Sequence, residues 1–98
     1  MEIKIGKRAQ VLARREHSWW LANADYPLTF EVEFEEVLKN LLKMPTLGVP
    51  YPTERRPHLL RVLLPKSRCH IYYTLERHRT LIVIHSVWGA RRKRGPSL

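Results

Sequence analysis

Cysteine is almost absent: Cys69 stands alone among 98 residues. A lone thiol forms no internal disulfide and supports no multi-cysteine zinc site, and it fits a reducing cytoplasm. Long apolar runs are missing too. The longest, such as Leu81–Ile84, fall far below the roughly 20 residues that a membrane-crossing helix requires. Met1-Glu2-Ile3-Lys4-Ile5 alternates polar with apolar residues and lacks the hydrophobic region of a signal peptide. Neither membrane insertion nor export is expected. Repeats and low-complexity segments are absent, and residues 1–98 are expected to form one domain around one core. Acidic residues are scarce in one half only. Residues 1–49 hold seven basic and seven acidic side chains, whereas residues 50–98 hold eleven basic ones against Glu54 and Glu76. The net charge of +9 therefore resides in the C-terminal half. Such an excess suits either an acidic or polyanionic partner or simple solubility.

What is present is periodic. Glu2–Ile5 reads as a first strand, and Lys7 to about Asn23 as a helix with Ala9, Leu12, Ala13, Trp19 and Trp20 turned inward. The chain breaks at Asp25-Tyr26-Pro27, where proline suits the first turn of a second helix. In that helix Phe30, Phe34, Val37, Leu38, Leu41 and Leu42 form one stripe, with four glutamates near its start. Met44 to Pro57 carries four prolines and no periodicity, and reads as a loop pinned by Tyr51. Three strands follow, His58–Leu64, Arg68–Leu75 and Thr80–Trp88, joined by short turns that imply antiparallel pairing. The expected class is α+β, in the order β-α-α-β-β-β, with a helical hairpin packed on one face of a mainly antiparallel sheet.

Register follows from the turns. A two-residue turn at Lys66-Ser67 sets Tyr72 opposite Arg61, and one at Arg77-His78 sets Leu75 opposite Thr80 and His70 opposite His85. One face then collects Arg61, Arg68, His70, Tyr72 and His85, together with Leu59, Leu63, Leu81, Val83 and Val87. The other gathers Leu60, Val62, Leu64, Ile71, Tyr73, Ile82 and Ile84 as a core. A slip of one residue inverts a strand. Beyond the last strand runs a basic tail over 89–98 with Arg91, Arg92, Lys93 and Arg94, read either as a contact surface or as a solvated end. Arginine clamps phosphate, histidine moves protons near neutral pH and tyrosine donates one, the set that RNA cleavage through a 2′-hydroxyl requires. An uncovered apolar sheet face more often binds protein, so binding is weighed above catalysis. Two histidines without a carboxylate neighbour make a poor metal site, and no metal or cofactor is expected.

The ordered set Trp19-Trp20, Asn23, Pro27, Phe30, Pro45-Thr46-Leu47-Gly48-Val49-Pro50-Tyr51, Arg61–Pro65, His70–Tyr73 and Leu81–Arg92 resembles the toxins of the RelE/ParE superfamily over nearly the whole chain. The resemblance implies a type II toxin–antitoxin system, with growth arrest once a labile cognate antitoxin decays. It divides by target. RelE-like members cut mRNA in the ribosome, and ParE-like members poison DNA gyrase. When Tyr73 is set on the tyrosine of the family's Arg-x-x-Tyr strand, His70 stands where the ribonucleases carry arginine. No tyrosine follows Arg91 and Arg92. The end of the chain looks more like the ParE branch. The leading expectation is therefore a gyrase inhibitor, with Arg61, Arg68, His85, Trp88 and Arg91 to Arg94 contacting target or antitoxin. The alternatives are a ribosome-dependent endoribonuclease using Arg61, Arg68, His70 and Tyr72, and an inactive homologue that retains only antitoxin binding.

Overall fold

The computed structural model describes residues 1–92 and 94–98. Strand β1 (Glu2–Ile5) leads into helices α1 (Lys7–Asn23) and α2 (Thr29–Lys43), followed by strands β2 (Val49–Pro50), β3 (Leu60–Leu64), β4 (Cys69–Glu76) and β5 (Leu81–Gly89). The sheet runs in the order β1-β5-β4-β3-β2, with β1 parallel to β5 and the other neighbours antiparallel. The α+β arrangement of two helices on one face of this sheet is as the sequence implied. Two features differ at the edges. A two-residue strand, β2, forms inside the proline-rich segment and pairs Val49 with Arg61. Helix α2 starts at Thr29, because Tyr26 C=O accepts from both the N–H and the hydroxyl of Thr29 and so closes a turn first.

The core lies between the helices and the sheet. Ala9 and Leu12 of α1 and Phe30, Val37 and Leu41 of α2 pack against Leu64, Ile71, Tyr73, Ile82, Ile84 and Val87. Burying side chains of this size supplies most of the favourable folding energy. The helical stripe is not the expected one throughout. Leu42 is exposed, and so is Trp19 at 38%, while Glu16 takes the inward position at 0%. Residues 9, 12, 13, 16 and 20 make the true stripe of α1, at helical spacing. The Met44–Pro57 segment is held by Tyr73, whose hydroxyl donates to Pro45 C=O and accepts from Gly48 N–H, each at 2.8 Å. A Cβ at Gly48 would lie 2.8 Å from that hydroxyl, so the close approach requires glycine. Tyr51 adds to the pinning through its N–H, which donates to Leu59 C=O.

The two hairpins differ in how they match the inferred register. Between β3 and β4, Arg61 pairs with Tyr72 as inferred. Between β4 and β5 the turn spans four residues, with Glu76 opposite Leu81 and Leu75 opposite Ile82 rather than Thr80. Arg77, His78 and Arg79 all adopt positive φ (49°, 54° and 68°), a conformation that the residue types did not signal. A bulge at Tyr72/Tyr73 then shifts the pairing by one more residue. As a result His70 faces Trp88 rather than His85, and Val87 turns into the core.

Candidate functional site

The sheet face away from the helices carries Arg61 on β3, His70, Tyr72 and Thr74 on β4, and His85, Ser86 and Trp88 on β5. It is less open than the strand pattern implied. Tyr51 lies edge-to-face on Tyr72 at 5.3 Å between ring centroids, and the Arg61 guanidinium stacks 4.6 Å from the Tyr51 ring. Tyr72 is left only 3% exposed, and Thr74 and Ser86 are also buried. Leu59, expected on this face as uncovered apolar surface, is buried where the 51–58 segment folds back: its N–H donates to Arg56 C=O. Leu63 remains exposed.

Burial sets the chemistry of this face. The His70 pKa lies below its usual 6.5, chiefly through desolvation and secondarily through the Arg61 charge. His85 is lowered by burial and then by Arg56, with Glu76 acting weakly the other way, and its Nε2 is 2.8 Å from Thr74 Oγ1. Burial raises the Tyr72 phenol, and Arg61 beside it pulls in the opposite direction. Both imidazoles are therefore neutral at pH 7. His70 and Tyr72 are neighbours, 6.1 Å between ring centroids.

A second cluster forms where the last strand ends. Arg91 Nη1 donates to Glu16 Oε2 at 2.8 Å, and the Arg91 guanidinium stacks 4.0 Å from the Trp19 ring. Arg92 stacks 4.6 Å from Trp88, and its Nε is 4.0 Å from Glu16 Oε1. The indole N–H of Trp88 donates to Arg94 C=O, and Ala90 N–H donates to Arg68 C=O at 2.7 Å. Gly89 makes the approach possible, since a Cβ there would lie 2.7 Å from Glu16 Oε1. The Cys69 thiol donates to Glu16 at 3.4 Å, and burial with the neighbouring carboxylate pushes its pKa well up, so it is no nucleophile. The basic segment through Arg92 is thus fastened to α1. It is not a frayed end.

Of the residues singled out from sequence, Arg61, His70, Tyr72, His85 and Trp88 share the sheet face, and Arg92 reaches it through Trp88. Arg68 does not join them. It sits in the β3–β4 turn with φ 56°, exposed, lining a cavity of about 490 Å³ with Trp19, Trp20 and Arg91. Arg94 is exposed, and Lys93 lies outside the described residues. Glu16 was missed because a carboxylate on an apolar stripe reads as a solvent position; the clue was its spacing from Leu12 and Trp20. Glu33, in line with Phe30, Val37 and Leu41 on the buried face of α2, was missed likewise. Its carboxylate accepts from the N–H groups of Lys66 and Ser67 at 2.8 Å and from the Ser67 hydroxyl. Among the described residues, no three His, Cys, Asp or Glu side chains converge as metal ligands, and no helix is long and apolar enough to cross a membrane.

No protein-family model and no curated relative matches the sequence. Solved structures do match the fold. The chain is similar to one from the chromosomal ParDE TA system of P. aeruginosa, with 15% identity, a TM-score of 0.72 and coverage of 91% of this chain and 95% of that one. It is similar to a chain of the intact E. coli RelBE toxin–antitoxin complex, with 17% identity, a TM-score of 0.60 and coverage of 92% and 96%. A YoeB/ParE toxin from Agrobacterium tumefaciens matches with 9% identity, a TM-score of 0.61 and coverage of 91% and 98%. With TM-scores of 0.60 to 0.72 over at least 91% of each chain, the protein has the RelE/ParE toxin fold.

Proposed function

We propose that this protein is the toxin of a type II toxin–antitoxin pair, that it arrests growth in the cytoplasm by binding DNA gyrase, and that a cognate antitoxin silences it by covering the free sheet face. The fold shared with the ParDE and RelBE structures supports the toxin reading. The observation that favours a binding toxin over a nuclease is the commitment of Arg91 to Glu16. Withdrawing that guanidinium to clamp a scissile phosphate would leave a buried carboxylate with only Arg92, 4.0 Å away, at a cost of about 3 kcal/mol. Residues 89–98 include no tyrosine that could donate a proton. Arg91 and Trp19, stacked and already ordered, are instead suited to a protein contact, because little side-chain entropy remains to be lost on binding.

A second reading, a ribosome-dependent mRNA endoribonuclease, draws on the neutral His70 beside Tyr72 and Arg61. Arg68, assigned to that set from the sequence, lies away from it. Induced expression separates the two readings. Gyrase inhibition predicts growth arrest with relaxed plasmid and intact mRNA. Codon-associated mRNA cuts with normal plasmid topology would replace it with the ribonuclease. Growth without arrest would leave antitoxin binding as the sole retained property.

A further inference from the structure

The first turn of α1, the 55–56 stretch and the middle of β5 converge on a cavity of about 330 Å³. Lys7, Arg8, Arg55, Arg56 and His85 line it, together with Ser97 and Leu98, and no acidic side chain does. Among the described residues none of these four cations is in an ion pair. Arg56 Nε is buried without a hydrogen-bond partner. His85 Nε2 is occupied by Thr74, which leaves Nδ1 as its remaining hydrogen-bonding atom. In the tautomer whose Nε2 accepts from the threonine hydroxyl, Nδ1 carries the proton of the neutral ring and is a donor. Every polar side chain at the cavity is thus cationic or, for Ser97 and for His85 in that tautomer, able to donate. Helix α1 adds to this potential, because its first turn has no acidic residue and no side-chain cap.

Four like charges around one cavity repel, and an anion seated among them relieves the repulsion that solvent leaves unscreened. We propose that this cavity binds a phosphate group, with Arg55 and Arg56 as the clamp and His85 Nδ1 as a further donor. Two arginines from adjacent positions suit a ligand with several anionic oxygens, which a guanidinium can engage bidentately. A cavity of about 330 Å³ is at the small end of the range for small-molecule sites, roughly 300–1,000 Å³, and exceeds what one inorganic ion fills. A phosphate ester such as a nucleoside monophosphate is accordingly the favoured source, with free inorganic phosphate as the other. The site shares only His85 with the sheet face of the toxin reading; Glu16, Arg91 and Trp19 take no part.

The test is titration of the full chain with inorganic phosphate and, separately, with uridine 5′-monophosphate at constant ionic strength, followed by calorimetry and by the His85 ring resonances. Saturable one-to-one binding that moves the His85 resonances is expected. Arg56→Gln should weaken it by about tenfold or more, the loss of one charge-assisted hydrogen bond. Lys39→Gln, the same charge change on α2, should leave it unchanged. Without ligand, Arg56→Gln should be no less stable than the parent, since it removes repulsion and no bond; if it fails to fold, the exposed Arg55→Gln takes its place. Tighter binding of the nucleotide assigns the site to an ester, and equal affinities assign it to free phosphate. Absence of saturation, or equal weakening by Arg56→Gln and Lys39→Gln, would overturn the proposal in favour of diffuse charge attraction.

Discussion

At one end of β4 the chain turns through Pro65–Arg68 against a carboxylate. Glu33 of α2 takes two backbone N–H groups and a hydroxyl from that turn, and one residue further on Cys69 meets Glu16 and, through it, Arg91. At the other end the chain turns through Arg77–Thr80 with three successive left-handed residues. That turn is closed by Thr80 N–H and hydroxyl bonds to Glu76 C=O and Arg77 C=O, and its one tie outside the hairpin among the described residues' backbone bonds is Glu2 N–H of β1, which donates to Thr80 C=O at 3.0 Å. The first end is tied to both helices. The second is held by its own local bonds and one backbone bond from β1, and carries more strain, with three left-handed residues against Arg68 in the first, since each non-glycine residue in that region costs about 1 kcal/mol or more. The contrast shows where this fold keeps its anchorage. It lies beside the basic segment that the functional reading needs ordered.

The largest effect expected from breaking the contrast is at Arg91. Arg91→Met strands the Glu16 carboxylate and should cost about 3 kcal/mol in denaturant unfolding. Adding Glu16→Leu should return most of that loss, because an apolar pair of similar volume replaces the ion pair. Loss of under about 1 kcal/mol would place the anchor elsewhere. Next comes Glu33→Gln, in which one oxygen becomes a donor facing a backbone donor; about 1–3 kcal/mol should go, read by the same method.

Acid provides a smaller lever. His70 and His85 are both held below 6.5 in the folded chain, mainly by burial, so the unfolded chain protonates first as the pH falls. Their contribution to stability is complete above pH 6.5 and is lost as the pH drops through the depressed values. The unfolding midpoint should therefore fall on acidification below pH 6.5, and fall less in His70→Gln with His85→Gln. At the strained end the sign reverses. Arg79→Gly should raise stability by about 0.5–1 kcal/mol in thermal unfolding, as glycine adopts positive φ without the steric cost. A loss there would mean that the two turns are not built so differently.

The same contrast decides how much could be read from the sequence. The stripe of α2 and the alternation in β4 are local periodicities, so the elements and the helix-facing core were legible. The register of β3 on β4 was legible too, because Lys66-Ser67 lies at the centre of a turn that matches simple counting. The β4–β5 register was not, since nothing in Arg77-His78-Arg79 signals three positive φ values, and the bulge at Tyr72/Tyr73 has no glycine to mark it. Of the site, His70 and Tyr72 share a face by alternation within β4, and Arg61 joins them through the register set by the Lys66-Ser67 turn. Arg68 was misplaced because the strand begins one residue later, and its backbone turns left-handed there. Glu16 was invisible for another reason: its burial makes sense only with an arginine 75 residues away in the chain.

The central claim is that the anchored basic end serves to bind and does not cut. Purified protein assayed side by side for inhibition of gyrase supercoiling and for cleavage of mRNA on translating ribosomes tests it most directly. The account predicts that supercoiling is inhibited by the parent chain, that inhibition weakens when exposed Arg94 is changed to glutamine, and that mRNA stays intact. Codon-associated cleavage with supercoiling untouched would contradict it.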